Sequence, residues 1–331
     1  MIISRTPFRV SFFGGGTDYH QWFEDKKGAV LATTIDKYCY ISCRFLPPFF
    51  EYKSRISYSK MELVKDLEQI QHPSAREVLR FLKINEGVEI HHDGDLPART
   101  GLGSSSAFTV GLLNTLYALK GVILTKERLA REAIYIEQKM CKENVGCQDQ
   151  VLAAYGGFNY IEFGGSNHLH VKKITLSDEK LRLFQSHLMM FFTGFSRMAS
   201  EIAAHQIANI PKKKKDLSQM YQMVTKAIEI LNGDDISDFG KLLDESWKLK
   251  RNLSDKVTTP FIDKLYETAL RAGAAGGKIL GAGGGGFLLI FAPPSRHKKI
   301  REKLKKFLEI PFKFEHLGSQ IIFYQPDSGK V

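Results

Sequence analysis

Cysteine is scarce in this chain, with four in 331 residues: Cys39, Cys43, Cys141 and Cys147. They include no Cys-x-x-Cys pair and are too few for a disulfide scaffold, so they read as buried thiols in a reducing compartment. Long apolar runs are missing as well. None approaches the roughly 20 residues that a membrane span needs. Met1-Ile2-Ile3-Ser4-Arg5-Thr6-Pro7 lacks the layout of a signal peptide. A cytoplasmic location and no membrane partner are the expectation. Internal repeats are absent, and the four lysines Lys212–Lys215 are the one low-complexity segment. A Gly-x-x-x-x-Gly-Lys-Ser/Thr run occurs nowhere, which excludes a Walker-type phosphate loop.

Positive charge is in excess, with 47 Lys and Arg against 36 Asp and Glu, a formal +11. Such a balance predicts an anionic partner: nucleic acid, anionic lipid or a phosphorylated small molecule. No aromatic–basic interleaving of the RRM or cold-shock kind is present, so nucleic acid is not the expected partner. Much of the excess lies in Lys212–Lys215 and from Arg296 to Lys306, where a solvated loop and a solvated helix face are the plain reading. With 43% hydrophobic and 25% charged residues the composition is globular, and the chain is long enough to bury a sizeable core. The length predicts two domains or one large α/β domain.

Arg9–Phe13, Val30–Ile35 and Tyr38–Phe45 read as strands, broken by Gly14-Gly15-Gly16 and by Asp36-Lys37, and Val88–His92 as another. Ser104 to Leu119 is mostly apolar and predicts a buried helix. Leu129, Ala133, Ile136 and Met140 form one stripe of an amphipathic helix from Lys126 to about Cys141. Phe158–Phe163 and His168–Ile174 predict a hairpin, and Leu188–Thr193 a strand. Three helices follow, the third with Thr259 as N-cap, Pro260 at its first position and Gly273 at its end. A strand at Phe287–Phe291, a basic helix from Ser295 to Leu308 and a strand at Ile321–Tyr324 close the chain. Strands and helices mix in both halves, which predicts two α+β domains, residues 1–180 and 181–331.

Chemistry is concentrated in three glycine clusters and a few carboxylates. Pro97-Ala-Arg-Thr-Gly101-Leu102-Gly103-Ser104-Ser105-Ser106-Ala107 runs straight into the buried helix. Glycines permit a tight turn with backbone close to a ligand, and the helix aims free N–H groups and its positive dipole end into that turn. A serine N-cap on a core helix is the plainer alternative, but three adjacent hydroxyls at the mouth point to phosphate binding, and one of them could bind a metal. Gly276-Gly277-Lys-Ile-Leu-Gly281-Ala-Gly283-Gly284-Gly285-Gly286 precedes a strand and marks close backbone approach or a flexible turn. Gly14-Gly15-Gly16-Thr17-Asp18 follows a strand, and Asp18 could accept hydrogen bonds from substrate hydroxyls. Glu137 falls on the apolar stripe of its helix, where a carboxylate needs a cation or an arginine as partner. Asp149 lies in Gly146-Cys-Gln-Asp149-Gln150, between a helix end and the apolar Val151–Ala154.

Together these motifs resemble the GHMP kinase superfamily over essentially the whole chain. The resemblance implies an N-terminal domain like domain 2 of ribosomal protein S5 and a ferredoxin-like C-terminal domain, with ATP and Mg²⁺ as cofactors. It implies that Gly101, Leu102, Gly103, Ser104, Ser105 and Ser106 hold the ATP phosphates, with Ser105 and Glu137 on Mg²⁺. Asp149 would take or orient the proton of the attacking hydroxyl, and Arg9 would stabilise charge nearby. Asp18, Gly15, Gly16, Gly283 and Gly284 would line the sugar. Galactokinases carry a Glu-His pair where this chain has Gly15-Gly16, which argues for a bulkier acceptor. Thr193-Gly-Phe-Ser-Arg197-Met-Ala199 and the stretch Gly146 to Gly157 are most similar to sugar kinases that act on an anomeric hydroxyl. This implies a sugar phosphate as the small-molecule partner, heptose 7-phosphate converted to the 1,7-bisphosphate, with kinases of unphosphorylated fucose or arabinose as the alternative. Arg197 is the expected clamp for the sugar's own phosphate, and Lys248, Lys250 and Arg251 are further candidates.

Overall fold

A computed structural model describes residues 1–47, 49–165, 168–194 and 199–326. Among them, strands form a nine-stranded and a four-stranded sheet. The strands are β1 (Ile2–Phe13), β2 (Gly28–Phe45), β3 (Ser54–Ser57), β4 (Met61–Val64), β5 (Val88–Gly94), β6 (Phe158–Gly164), β7 (His168–Lys173), β8 (Leu188–Phe192), β9 (Gly276–Ile279), β10 (Phe287–Phe291), β11 (Leu308–Glu309), β12 (Phe314–Glu315) and β13 (Gln320–Tyr324). The large sheet runs β13-β1-β2-β5-β3-β4, with β6 and β12 on β2 and β7 on β6. The small sheet is antiparallel, β11-β8-β10-β9.

β1 and β2 carry the large sheet because both are long and rich in β-branched and aromatic residues. The expected break at Asp36-Lys37 does not occur. A register shift between Pro7 and Phe8 absorbs it, and Asp36 N–H bonds the Lys313 carbonyl at 2.9 Å. The buried helix Ser104–Leu119 packs on β1 and β2 through an almost wholly buried surface. Lys126–Tyr135 continues into a wider π-helical turn, Ile136–Met140. The later helices Lys214–Asn232, Ser237–Asn252 and Pro260–Ala272 follow the sequence pattern, and Thr259 Oγ1 caps the last by accepting from Ile262 N–H at 3.3 Å. Helices at Pro73–Phe81, Asp178–Ser186 and Ala199–Asn209 were not expected.

The end of the chain crosses the expected division at residue 180. β12 and β13 leave the second half and pair with β2 and β1 of the large sheet. Between the sheets lies a shared aromatic cluster. The fully buried Phe184 meets Phe239 at 4.7 Å, Phe12 at 5.5 Å and Phe158 at 5.8 Å between ring centroids. Edge-to-face and offset pairs of this kind add to burial. Phe184→Ala is therefore expected to lower stability by about 3–5 kcal/mol, read as the shift in a chemical-denaturation midpoint.

Candidate active site

The loop before Ser104–Leu119 is shaped by glycine. Gly101 and Gly103 take φ of +85° and +74°, and Gly103 stands in the left-handed region at the helix N-cap. The first helical bond runs from Ala107 N–H to Gly103 O, so the amides of Ser104, Ser105 and Ser106 are not used within the helix. Free amides at a helix N-terminus form a site for an anion. Gly281–Gly286 lies against this loop: a Cβ on Gly281 would come 2.5 Å from Gly101 Cα, and one on Gly286 2.1 Å from Thr100 O. The Gly281–Gly286 cluster is therefore a close backbone approach between two distant segments, which no side chain would permit.

Arg9 joins this loop to the carboxylates. Its Nε and Nη2 donate to the two oxygens of Asp149 at 2.6 and 2.7 Å, and Nη1 donates to Gly101 O at 2.5 Å. Asp149 stands in the first turn of Gln148–Tyr155, and a Cβ on Gly103 would meet its Oδ2 at 3.2 Å. Asp18 is buried nearby. Its carboxylate accepts from Gly16 N–H at 2.9 Å and from Gln148 Nε2 at 3.0 Å. Burial raises the Asp18 carboxyl above its ordinary value, and the charge of Asp149 raises it further. Gly16 packs toward Leu217 of the second half, and Gly15 toward Gln148. Gly284 donates its N–H to Val257 O at 2.8 Å, and a Cβ on Gly283 would lie 2.5 Å from the same oxygen. Those two glycines spend their backbone on packing.

Glu137 is fully buried on the π-helical turn, below the serines. Ser106 Oγ donates to it at 2.8 Å, Thr109 Oγ1 at 2.7 Å, and Gln150 Nε2 also donates. Ser105, the serine expected beside Glu137, is exposed instead, since successive residues on a helix face different ways. No Lys, Arg or His of the described residues lies within ion-pair distance of Glu137. Burial pushes its carboxyl up to about 7, against the pull of its hydroxyl and amide donors.

Two buried lysines complete the cluster. Lys250 Nζ donates to Gly281 O, and Lys278 Nζ donates to Phe12 O at 2.9 Å. Lys278 has no mark in the sequence beyond its place among glycines. Lys248 and Arg251 point elsewhere, pairing with Asp244 at 2.6 Å and Asp263 at 3.0 Å. Arg197 lies outside the described residues.

Two family descriptions match the chain: GHMP kinases N terminal domain over residues 68–157 and GHMP kinases C terminal over residues 224–310. The chain belongs to the GHMP kinase family. GHMP kinases are ATP-dependent kinases, and the mixed helix-and-sheet fold is theirs. The chain is 28% identical over 325 residues to the D-glycero-alpha-D-manno-heptose 7-phosphate kinase of Campylobacter jejuni, covering 92% of this chain and 93% of that protein. It is 24% identical over 338 residues to the bifunctional fucokinase/GDP-fucose pyrophosphorylase of Arabidopsis thaliana, covering 93% of this chain and 31% of that protein. Among solved structures, a D-glycero-D-manno-heptose 1-phosphate kinase from Bacteroides thetaiotaomicron superposes with a TM-score of 0.79 at 22% identity, covering 96% of this chain and 98% of that one. That likeness concerns the fold. No helix of the described residues is long and apolar enough to cross a membrane.

Proposed function

We propose that this GHMP kinase transfers the γ-phosphoryl group of ATP to the anomeric hydroxyl of D-glycero-D-manno-heptose 7-phosphate, giving the 1,7-bisphosphate. The observation that carries the reading is the Arg9–Asp149 pair at the mouth of the glycine loop, with the buried Asp18 beside it. The sugar hydroxyl attacks the γ-phosphorus, the bond from that phosphorus to the β,γ-bridging oxygen breaks, and ADP leaves. The hydroxyl proton goes to Asp149. Each carboxylate oxygen has a second lone pair, so Asp149 can accept it while Arg9 fixes its orientation. Asp18 takes the acceptor's hydroxyls, and the amides of Ser104–Ser106 take the ATP phosphates. The reading keeps the two-domain division 1–180 and 181–331, with the last strands returning to the first domain and a cytoplasmic setting.

The residues around Glu137 fit Mg²⁺. A fully buried carboxylate without a cation is an incomplete arrangement, and Gln150 Oε1 beside it is buried without a partner. The described residues contain no group of three or more His, Cys, Asp or Glu that could hold a metal. Glu137 and a serine hydroxyl, Ser105 or Ser106, would hold the ion, with nucleotide phosphates and water supplying the other oxygens. Bound there, Mg²⁺ would neutralise phosphate charge.

The acceptor is the finer part of the proposal. The Campylobacter relative, matched over nearly its whole length, supports a heptose carrying a phosphate. The Arabidopsis relative supports a second reading, a kinase of unphosphorylated fucose. An ATP-consumption screen over hexoses, heptoses and their terminal phosphates separates them, with the phosphorylated position assigned by NMR. Heptose 7-phosphate is expected to be turned over far better than free heptose. Equal kcat/KM for the two would favour the fucokinase-like reading. A second check addresses Asp18. A Cβ on Gly146 would lie 2.0 Å from Asp18 Oδ2. Gly146→Ala should therefore displace that carboxylate and raise KM for the sugar about tenfold, the worth of a good hydrogen bond. KM for ATP should stay constant in the same assay.

A further inference from the structure

We infer that Lys250 contacts the γ-phosphoryl group of ATP, its ammonium and the Arg9 guanidinium facing that group from the two sides of the Gly101–Gly281 contact. The inference rests on the kinase reading above and adds to it a residue from the second half of the chain. Three basic residues follow Trp247, and their environments differ. Lys248 and Arg251 are matched by Asp244 and Asp263. Lys250 is 5% exposed and has no carboxylate within ion-pair distance among the described residues; its one bond is to the carbonyl of Gly281. An unpaired ammonium in the interior is costly, and a protein keeps such a group where an anion will arrive.

The position says which anion. Gly281 stacks on Gly101, and Gly101 O accepts from Arg9 Nη1 at 2.5 Å. Lys250 and Arg9 thus hold the carbonyls of two glycines in contact, directly beside the amides that receive the nucleotide phosphates. The charged groups facing Lys250 are Arg9 of β1, Asp18 after β1, Asp149 on Gln148–Tyr155 and Lys278 of β9. Asp149 is taken up by Arg9, and Asp18 by Gly16 N–H and Gln148 Nε2, so neither carboxylate is paired with the Lys250 ammonium. Burial and then Arg9 push Lys250 down to about 8, and burial with Lys250 and Arg9 pushes Lys278 well down. The glycine loop supplies dipoles but no lysine of its own. Phosphoryl transfer works by positioning and by charge stabilisation, and Lys250 supplies the missing charge from the opposite half.

The test uses calorimetric binding of Mg·ATP and Mg·ADP to the full chain without any sugar. In Lys250→Met the Kd for Mg·ATP is expected to rise about tenfold or more, in keeping with loss of a charged hydrogen bond. The Kd for Mg·ADP should change less than about twofold on the same argument, since ADP lacks the contacted group. Methionine fills similar volume and removes a buried charge, which offsets the loss of the donor to the Gly281 carbonyl, so thermal stability should change little. Lys250→Arg should keep the preference for ATP, and Lys248→Met should match the parent. Between pH 7 and 9 the parent's affinity for Mg·ATP should decline as the ammonium loses its proton through about 8, while Lys250→Arg stays flat. An unchanged ATP-to-ADP ratio in Lys250→Met overturns the inference. Equal weakening of both nucleotides overturns it too, because it assigns Lys250 to the shape of the loop. A negative sugar screen would overturn the acceptor reading and leave these binding results standing.

Discussion

Asp149→Asn is expected to lower kcat by about 10²- to 10⁴-fold, the range for losing a general base. Asparagine keeps the size of the side chain but has one acceptor oxygen, and its amide donors would face the donors of Arg9. Both Asp149 oxygens are engaged by that guanidinium, which also grips Gly101 O. The substitution therefore removes the proton acceptor and half of the clamp that aims it. Binding of ATP should be nearly intact, because the amides of Ser104–Ser106 are untouched. Steady-state kinetics with heptose 7-phosphate, beside a nucleotide titration, make the measurement. A folded variant within tenfold of the parent kcat would remove Asp149 from the chemical step.

The parts of this site that could be read from the chain are those whose chemistry is local. Glycines crowd where backbones must touch, so Gly101–Gly103 and Gly281–Gly286 stood out, and a serine triplet entering an apolar helix marked an anion site. Glu137 was conspicuous as a carboxylate on an apolar stripe. Its partners were not, because Ser106, Thr109 and Gln150 come together only when two helices pack. Ser105 and Ser106 differ by one position, and helical geometry buries the second and exposes the first. Lys250 is indistinguishable in sequence from Lys248 and Arg251, since spacings of two and one along a helix do not say which of them turns inward. The helix Pro73–Phe81 carries no usual N-cap signal, because His72 caps it, its Nδ1 accepting from Ala75 N–H at 3.3 Å, and histidine is not a usual cap. The return of β12 and β13 to the large sheet is long-range pairing with no local signal.

Glu137→Gln tests the buried carboxylate from two directions. If Glu137 holds Mg²⁺, the Mg²⁺ concentration for half-maximal activity should rise roughly 10- to 100-fold, since an amide oxygen lacks the charge of a carboxylate and loss of support at metal sites costs that much. The requirement for sugar should move far less. Stability of the metal-free protein gives the second arm. The folded acid holds its proton up to about pH 7, whereas the unfolded one releases it near 4.5. The folded state therefore binds more protons in that window, and the parent loses stability as pH rises through it, by roughly 3 kcal/mol at about 1.4 per pH unit. Glutamine cannot ionise, and the unpartnered Oε1 of Gln150 lets that amide turn over and accept from it. The variant should match the parent near pH 4.5 and melt above it beyond pH 7, where added Mg²⁺ should raise the parent and leave the variant unmoved. A variant that melts lower at every pH, with Mg²⁺ dependence of turnover unchanged, would make Glu137 a structural anchor for Ser106 and Thr109 and remove it from the metal.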